Sequence, residues 1–237
     1  MYKEINGRWG QCKFLSKDEY VGKSLYYYGE YNPDETEKIL SLAQKDKLCL
    51  DIGANIGCIS QALLANGHSV VAFEPQNEIY KLLQNNIVSM GGVAINSAVG
   101  SSIGTAKMPK VYYSDKNNFG GLGINTPSMY GHIEVPITTI DSLNYSNVGF
   151  IKIDVEGFEY EVLVGATDTI KKYAPIMYIE DDRAENSTKL RAYIYSLGYS
   201  IEEHRPTLYR EKNFFGLKRN VWDRNYASHN IICTPKG

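Results

Sequence analysis

The chain has 237 residues, 43% of them hydrophobic, with 25 Lys and Arg against 27 Asp and Glu for a formal net charge of −2. That length suits one large α/β domain. The near-balanced charge excludes the broad basic field with which a duplex nucleic-acid binder neutralises phosphates. No apolar run approaches the roughly 20 residues that cross a bilayer.

The opening MYKEINGRWG has no apolar stretch of the kind a secretory leader needs, so a soluble, cytoplasmic protein is expected. Cys12, Cys49, Cys58 and Cys233 form no C-x-x-C pair and are read as free thiols. Residues 1–32 are taken as an extension over the core and 33–237 as the core of a single domain. Within the extension, Tyr26-Tyr27-Tyr28-Gly29-Glu30-Tyr31 either shapes a ligand pocket, with Tyr28 and Glu30 as substrate contacts, or packs its rings on a sheet edge.

Asn32 followed by Pro33-Asp34-Glu35 predicts a helix start, with the asparagine as cap, proline at the first helical position and acids in the first turn. Leu48 to Ile52 reads as a short buried strand carrying Asp51 near its end, followed by a glycine turn and a helix from Ile59 to Ala65. Ser69 to Glu74 is the next strand, Ile79, Leu82, Leu83 and Ile87 mark a helix, and Val93 to Val99 predicts a third strand. Thr105 to Val111 and Ile133 to Thr138 are extra strands around a Gly/Asn-rich stretch, Tyr112 to Asn125, that suits a mobile loop carrying Asn118. Phe150 to Asp154 and Pro175 to Glu180 are two further buried strands, with helices from about Phe158 and over Thr188 to Leu197. Tyr199 to Glu203 and His229 to Thr234 are late strands. Strands separated by helices predict parallel βαβ units in a doubly wound, Rossmann-like α/β sheet, with ligand at the carboxyl ends of the strands.

The chemistry gathers at those strand ends. Asp51-Ile52-Gly53-Ala54-Asn55-Ile56-Gly57 lacks the middle glycine of a dinucleotide fingerprint, and its two glycines let a ligand approach the backbone at a helix N-terminus. A carboxylate at Asp51 repels a pyrophosphate but attracts a ligand carrying an ammonium and a sulfonium, which favours S-adenosylmethionine over NAD. Glu74 lies about 20 residues further on, the spacing of an acid that accepts from both ribose hydroxyls of an adenosine. Pro75, Ser97 and Ala98 lie where they would flank the nucleoside. Lys152-Ile153-Asp154-Val155-Glu156-Gly157 and Glu180-Asp181-Asp182 bring further carboxylates to the same edge. Two readings stay open there. One is a general base, Asp154 with Glu180 and Glu156 beside it, with Asp181 gripping the substrate. The other is a divalent cation, Mg or Mn, held by Asp154, Glu180 and Asp181.

Leu50 to Gly57, Phe73-Glu74-Pro75, Ala98-Val99-Gly100, Thr139 to Leu143 and Phe150 to Glu159 together resemble an FkbM-type methyltransferase, over about residues 29–200. The resemblance implies a class I methyltransferase fold with a seven-stranded sheet whose last strand is antiparallel. It also implies transfer of a methyl group from S-adenosylmethionine to oxygen, commonly on a sugar or natural-product hydroxyl. Matching positions imply donor contacts from Asp51, Gly53, Asn55 and Glu74, with Asp154, Glu156 and Glu180 near the reacting centre. A carbohydrate or other small hydroxylated acceptor is therefore expected. The alternatives are a ribose methyltransferase acting on nucleic acid and an adenosine-binding protein without turnover.

Overall fold

The chain opens with a hairpin, β1 (Tyr2–Gly7) and β2 (Gly10–Leu15), followed by α1 (Val21–Tyr28) and α2 (Pro33–Leu42). Strands and helices then alternate as β3 (Leu48–Ile52), α3 (Cys58–Ala65), β4 (Ser69–Phe73), α4 (Asn77–Ile87) and β5 (Val93–Ile95). A small sheet of β6 (Ala98–Val99), β7 (Gly104–Pro109) and β8 (His132–Thr138) interrupts the pattern. It resumes with β9 (Val148–Ile153), α5 (Glu159–Val164), α6 (Thr167–Tyr173), β10 (Ile176–Glu180), α7 (Ala184–Ser196), β11 (Tyr199–His204) and β12 (Asn230–Pro235). This computed structural model describes residues 2–222 and 226–236.

The central sheet has seven strands in the order β11-β12-β10-β9-β3-β4-β5. The strands from β10 to β5 run parallel, and β12 lies antiparallel to both β10 and β11. After β3 the chain winds outward to β4 and β5, then returns to the other side of β3 to lay down β9 and β10. The order therefore reverses between β3 and β9, and a crevice opens outside their carboxyl ends.

Alternation along each strand divides the core between two layers. Leu50, Ile52, Ile151 and Ile153 pack toward Val162, Leu163, Ile170 and Ile194 of α5 to α7, all at most 1% exposed. Cys49, Phe150 and Tyr178 face the other way, onto Ile39, Leu63 and Leu83 of α2 to α4. Each such side chain contributes about 1.5–3 kcal/mol by leaving water. A third cluster, with Phe14, Leu25, Ile79 and Phe119, attaches the hairpin and α1 to α4. Among the described residues no helix is long and apolar enough to cross a membrane.

Three local expectations need correction. The predicted third strand divides at Asn96, whose side-chain amide donates to the carbonyls of Glu74 (2.9 Å) and Pro75 (3.1 Å). That turn takes Ala98 and Val99 out of the main sheet to pair with Ile137 and Thr138. The helix expected from Phe158 is two short helices broken at Gly165, where a Cβ would lie 1.9 Å from the Gly100 carbonyl oxygen. Asn32 precedes α2 but does not cap it with its side chain: at φ 42° its amide donates instead to the Glu35 carboxylate.

Candidate active site

A cavity of ≈ 400 Å³ fills the crevice at the β3/β9 switch point, within the range typical of small-molecule sites. Its first half is built on β3, β4 and the chain beyond them. Gly53 turns at φ 76°, and a Cβ there would lie 1.8 Å from the Asp154 carbonyl oxygen, so only glycine fits. Asn55 follows at φ 52°, and its N–H donates to Oε2 of Glu74 (3.1 Å) while the Gln76 N–H donates to Oε1 (2.9 Å). Those two bonds fix the Glu74 carboxyl and leave each oxygen further accepting capacity. Burial raises Glu74 to about 7, with the backbone donors opposing the shift. Pro75, Ser97 and Ala98 complete this wall.

The second half lies over β9 and β10, where Asp154, Glu156, Glu180, Asp182 and Arg183 meet the tail residues Ser228, His229 and Asn230. Glu156 has a left-handed backbone at φ 57° and Gly157 follows at φ 99°. The strained turn is held by Glu159, whose Oε1 accepts from the N–H groups of Val155 (3.2 Å) and Gly157 (3.0 Å), and by Asn186, which donates to the Gly157 carbonyl (3.0 Å). Arg183 pairs with Glu156 and Lys152 pairs with Asp154 at 3.2 Å. Glu180 differs from both: its Oε2 is shielded from solvent and has no partner among the described residues. Burial, then Asp154, Glu156 and Asp182, push its carboxyl well above the usual range. Burial also raises Glu156 to about 7 and, closer to α2, Glu35 to about 8.

The walls thus carry six carboxyl groups (Glu35, Glu74, Asp154, Glu156, Glu180 and Asp182) against Lys152 and Arg183. Burial raises most of these acids, and a bound cation favours their ionised forms, so the lining suits a cationic ligand.

The structure brings Gly53, Asn55, Glu74, Pro75, Ser97, Ala98, Asn118, Asp154, Glu156 and Glu180 together in this one cavity. It leaves five expected residues outside it. Asp51 is fully buried beneath the loop rather than at its lip, accepting from Ser60 Oγ at 2.6 Å and lying 3.5 Å from Lys152 Nζ. Gly57 starts α3, and the room it leaves is for Leu83 and Ile87 of α4, not for a ligand. Tyr28 is 1% exposed and accepts from the Val221 N–H. Glu30 pairs with Arg8 at 2.9 Å and accepts from the Phe214 N–H, joining the hairpin to the tail. Asp181 binds Ser187 and Arg191, so the carboxylates that converge are Asp154, Glu156 and Glu180, with ligand oxygens within 4.8 Å of one another. The loop that includes Asn118 is folded down over the mouth: Phe119 is fully buried and its carbonyl accepts from Gln76 Nε2 at 2.9 Å.

Among the cavity residues that the sequence did not mark as such are Lys152, Glu35, Arg183 and Asn230. Lys152 had a visible signal, a lone cation inside an apolar strand. Glu35 was read only as a first-turn acid, Arg183 stood beside a quoted motif, and Asn230 had no local signal at all.

A mostly parallel sheet of this winding, with its cavity at the switch point, is the framework of the Rossmann-like methyltransferases. Methyltransferase FkbM from Methylobacillus flagellatus shares it, with a TM-score of 0.53 and 19% identity, over 91% of this chain and 55% of that one. Precorrin-6y C5,15-methyltransferase from Geobacter metallireducens does so with a TM-score of 0.54 and 13% identity, over 86% and 89% of the two chains. Residues 51–201 match the Methyltransferase FkbM domain, and the chain belongs to that family. The hexuronic acid methyltransferase AglP of Haloferax volcanii is 26% identical over 142 residues, covering 58% of this chain and 57% of that protein. The chain thus spans little more than half the length of AglP and of the Methylobacillus protein.

Proposed function

We propose that this protein is an S-adenosylmethionine-dependent O-methyltransferase whose acceptor is a hydroxyl of a sugar or a similar polyol. The observation that carries the reading is the unpartnered Glu180 oxygen at one end of a cavity whose other end holds the fixed Glu74 carboxyl. FkbM membership supports the methyl donor, and the likeness to a hexuronic acid methyltransferase supports a sugar acceptor.

Bound S-adenosylmethionine supplies an electrophilic methyl group on a sulfonium. Glu74 accepts from the ribose hydroxyls, Gly53 admits the donor to the main chain, and Ser97 and Ala98 flank the base. The acidic walls balance the positive charge. Asp154, held by Lys152, is a positioning carboxylate in this reading, because its neighbouring cation already occupies it. Glu180 takes the acceptor proton as the hydroxyl oxygen bonds to the methyl carbon and the carbon–sulfur pair leaves with sulfur. Alignment of the two ligands accounts for the rest of the rate.

A divalent cation fits this donor set poorly. Lys152 already pairs with Asp154 and Arg183 with Glu156, while Asp181 is engaged with Arg191.

The test is release of S-adenosylhomocysteine during incubation with labelled donor and a panel of glycans, small polyols and short RNAs. Turnover on glycans or polyols, lost in Glu180→Gln with S-adenosylhomocysteine affinity kept, is the expected result. Turnover confined to RNA, or full activity in Glu180→Gln, overturns the reading.

A further inference from the structure

Glu180 and Asn230 are directly opposed in the antiparallel ladder between β10 and β12, so their side chains leave the sheet on one face. Both line the second half of the cavity, and Asn230 is 3% exposed. Among the described residues, each presents a buried polar atom with no partner in hydrogen-bond geometry: Oε2 of Glu180 and Nδ2 of Asn230. The Tyr178 hydroxyl, bonded to His204 Nδ1 at 2.8 Å, lies beside the Asn230 amide and has the capacity to accept one of its N–H groups. An amide nitrogen has two protons, so at least one N–H of Asn230 stays available. Two orphaned atoms side by side in a cavity wall point to a ligand group that satisfies both.

Their chemistry selects that group. Asn230 Nδ2 donates and the Glu180 carboxylate accepts. A hydroxyl does both at one oxygen. A carboxylate ligand adds one more acid beside Asp154, Glu156, Glu180 and Asp182, where the cations Lys152 and Arg183 are already paired. An ammonium satisfies Glu180 and leaves Asn230 unpaired.

We infer that Glu180 and Asn230 clamp one hydroxyl of an uncharged acceptor, with Asn230 the residue that sets specificity, and that this end of the cavity refuses an acidic sugar. The inference rests on the methyl-transfer reading above and deepens it. It also sets this chain apart from AglP, a hexuronic acid methyltransferase, by the charge of the acceptor. The clamp holds the nucleophilic oxygen by its lone pair on Asn230 and by its proton on Glu180, so binding and deprotonation share one geometry.

The experiment has two layers. First, S-adenosylhomocysteine binding to the intact protein is measured by calorimetry. No binding overturns the donor reading itself. Second, with S-adenosylhomocysteine saturating, binding of p-nitrophenyl glucoside, galactoside, mannoside and fucoside is compared with that of the matching glucuronide and galacturonide. A neutral glycoside binding at least tenfold more tightly than its uronide is the expected result. Uronides binding as well or better, or no glycoside binding at all, overturns the clamp. Asn230→Asp, nearly isosteric but adding a carboxylate, is expected to weaken the neutral glycoside at least tenfold while S-adenosylhomocysteine affinity stays within twofold. Unchanged glycoside affinity in that variant overturns the role of Asn230.

Discussion

Lys152 stands beside Asp51 in the parallel ladder of β9 and β3, with its ammonium 3.5 Å from Asp51 Oδ1. The same nitrogen lies 3.2 Å from Asp154 Oδ2 and donates to the Gly53 carbonyl at 3.0 Å. Burial alone would lower the Lys152 pKa, but Asp154, Asp51 and Glu35 outweigh it and raise it. One buried cation thus ties together the Gly53 loop, the strand beneath it and the carboxylate across the cavity.

Lys152→Met is expected to be strongly destabilising, because it leaves the fully buried Asp51 without its cation. Breaking a buried pair in this way costs about 3–5 kcal/mol. Urea denaturation measures it, and a midpoint equal to wild type would show that Asp51 does not depend on Lys152.

Stability should fall as pH rises from mildly acid to mildly alkaline. Glu74 and Glu156 hold their protons in the folded state up to about 7 and Glu35 up to about 8, against an ordinary value of 4.5 for each. Between those limits the folded chain binds more protons than the unfolded one. This contribution is therefore complete below pH 4.5 and is lost as pH climbs to about 8. Each proton contributes at most about 1.4 kcal/mol per pH unit. Glu35→Gln should flatten the curve, gaining on wild type at alkaline pH and not at acid pH, in denaturation followed across that range. A parallel offset at every pH contradicts the assignment.

The two glycines of the turn after β3 should respond differently to alanine. Gly53→Ala drives a Cβ into the Asp154 carbonyl at 1.8 Å and cannot be relieved by a side-chain rotation. Loss of S-adenosylhomocysteine binding together with a large drop in Tm is expected. Gly57→Ala meets only the ends of Leu83 and Ile87, at 2.8 and 2.9 Å, with the added strain of φ 91°. Its cost should appear in Tm, with ligand affinity retained by the folded fraction.

Above pH 7, where Glu74 has lost its proton, Glu74→Gln removes an ionised acceptor from the expected ribose site. A hydrogen bond to a charged group is worth about 1.5–3 kcal/mol, which converts to roughly 10–100-fold in S-adenosylhomocysteine affinity. Calorimetry reads this directly, and an unchanged Kd would remove Glu74 from the donor site.

Much of this molecule was legible in one dimension. The runs Leu48–Ile52, Ser69–Phe73, Val148–Ile153 and Ile176–Glu180 are too apolar to lie anywhere but between two helical layers. Once they are parallel strands, the residues that follow them share one edge by geometry. Glu74, Asp154, Glu156 and Glu180 were found in that way. Asp51 was misread because it shares a strand end with the loop, while spacing along a chain cannot tell whether a carboxylate faces a cavity or lies beneath it. Asp181 and Glu180 are neighbours in sequence and face opposite ways.

From Pro33 onward, sequence by itself determined most of the order of strands and helices and the edge at which the chemistry collects, because burial periodicity and turn residues act over a few positions. The β1–β2 hairpin and α1 were not foreseen. The tertiary structure alone decided which acids are neutralised and which stay open. Those outcomes depend on contacts between residues far apart in the chain: Lys152 with Asp51, Arg183 with Glu156, and Asn230, from the last strand, beside Glu180. Charge pairing is a matter of distance in space, and no local pattern encodes it.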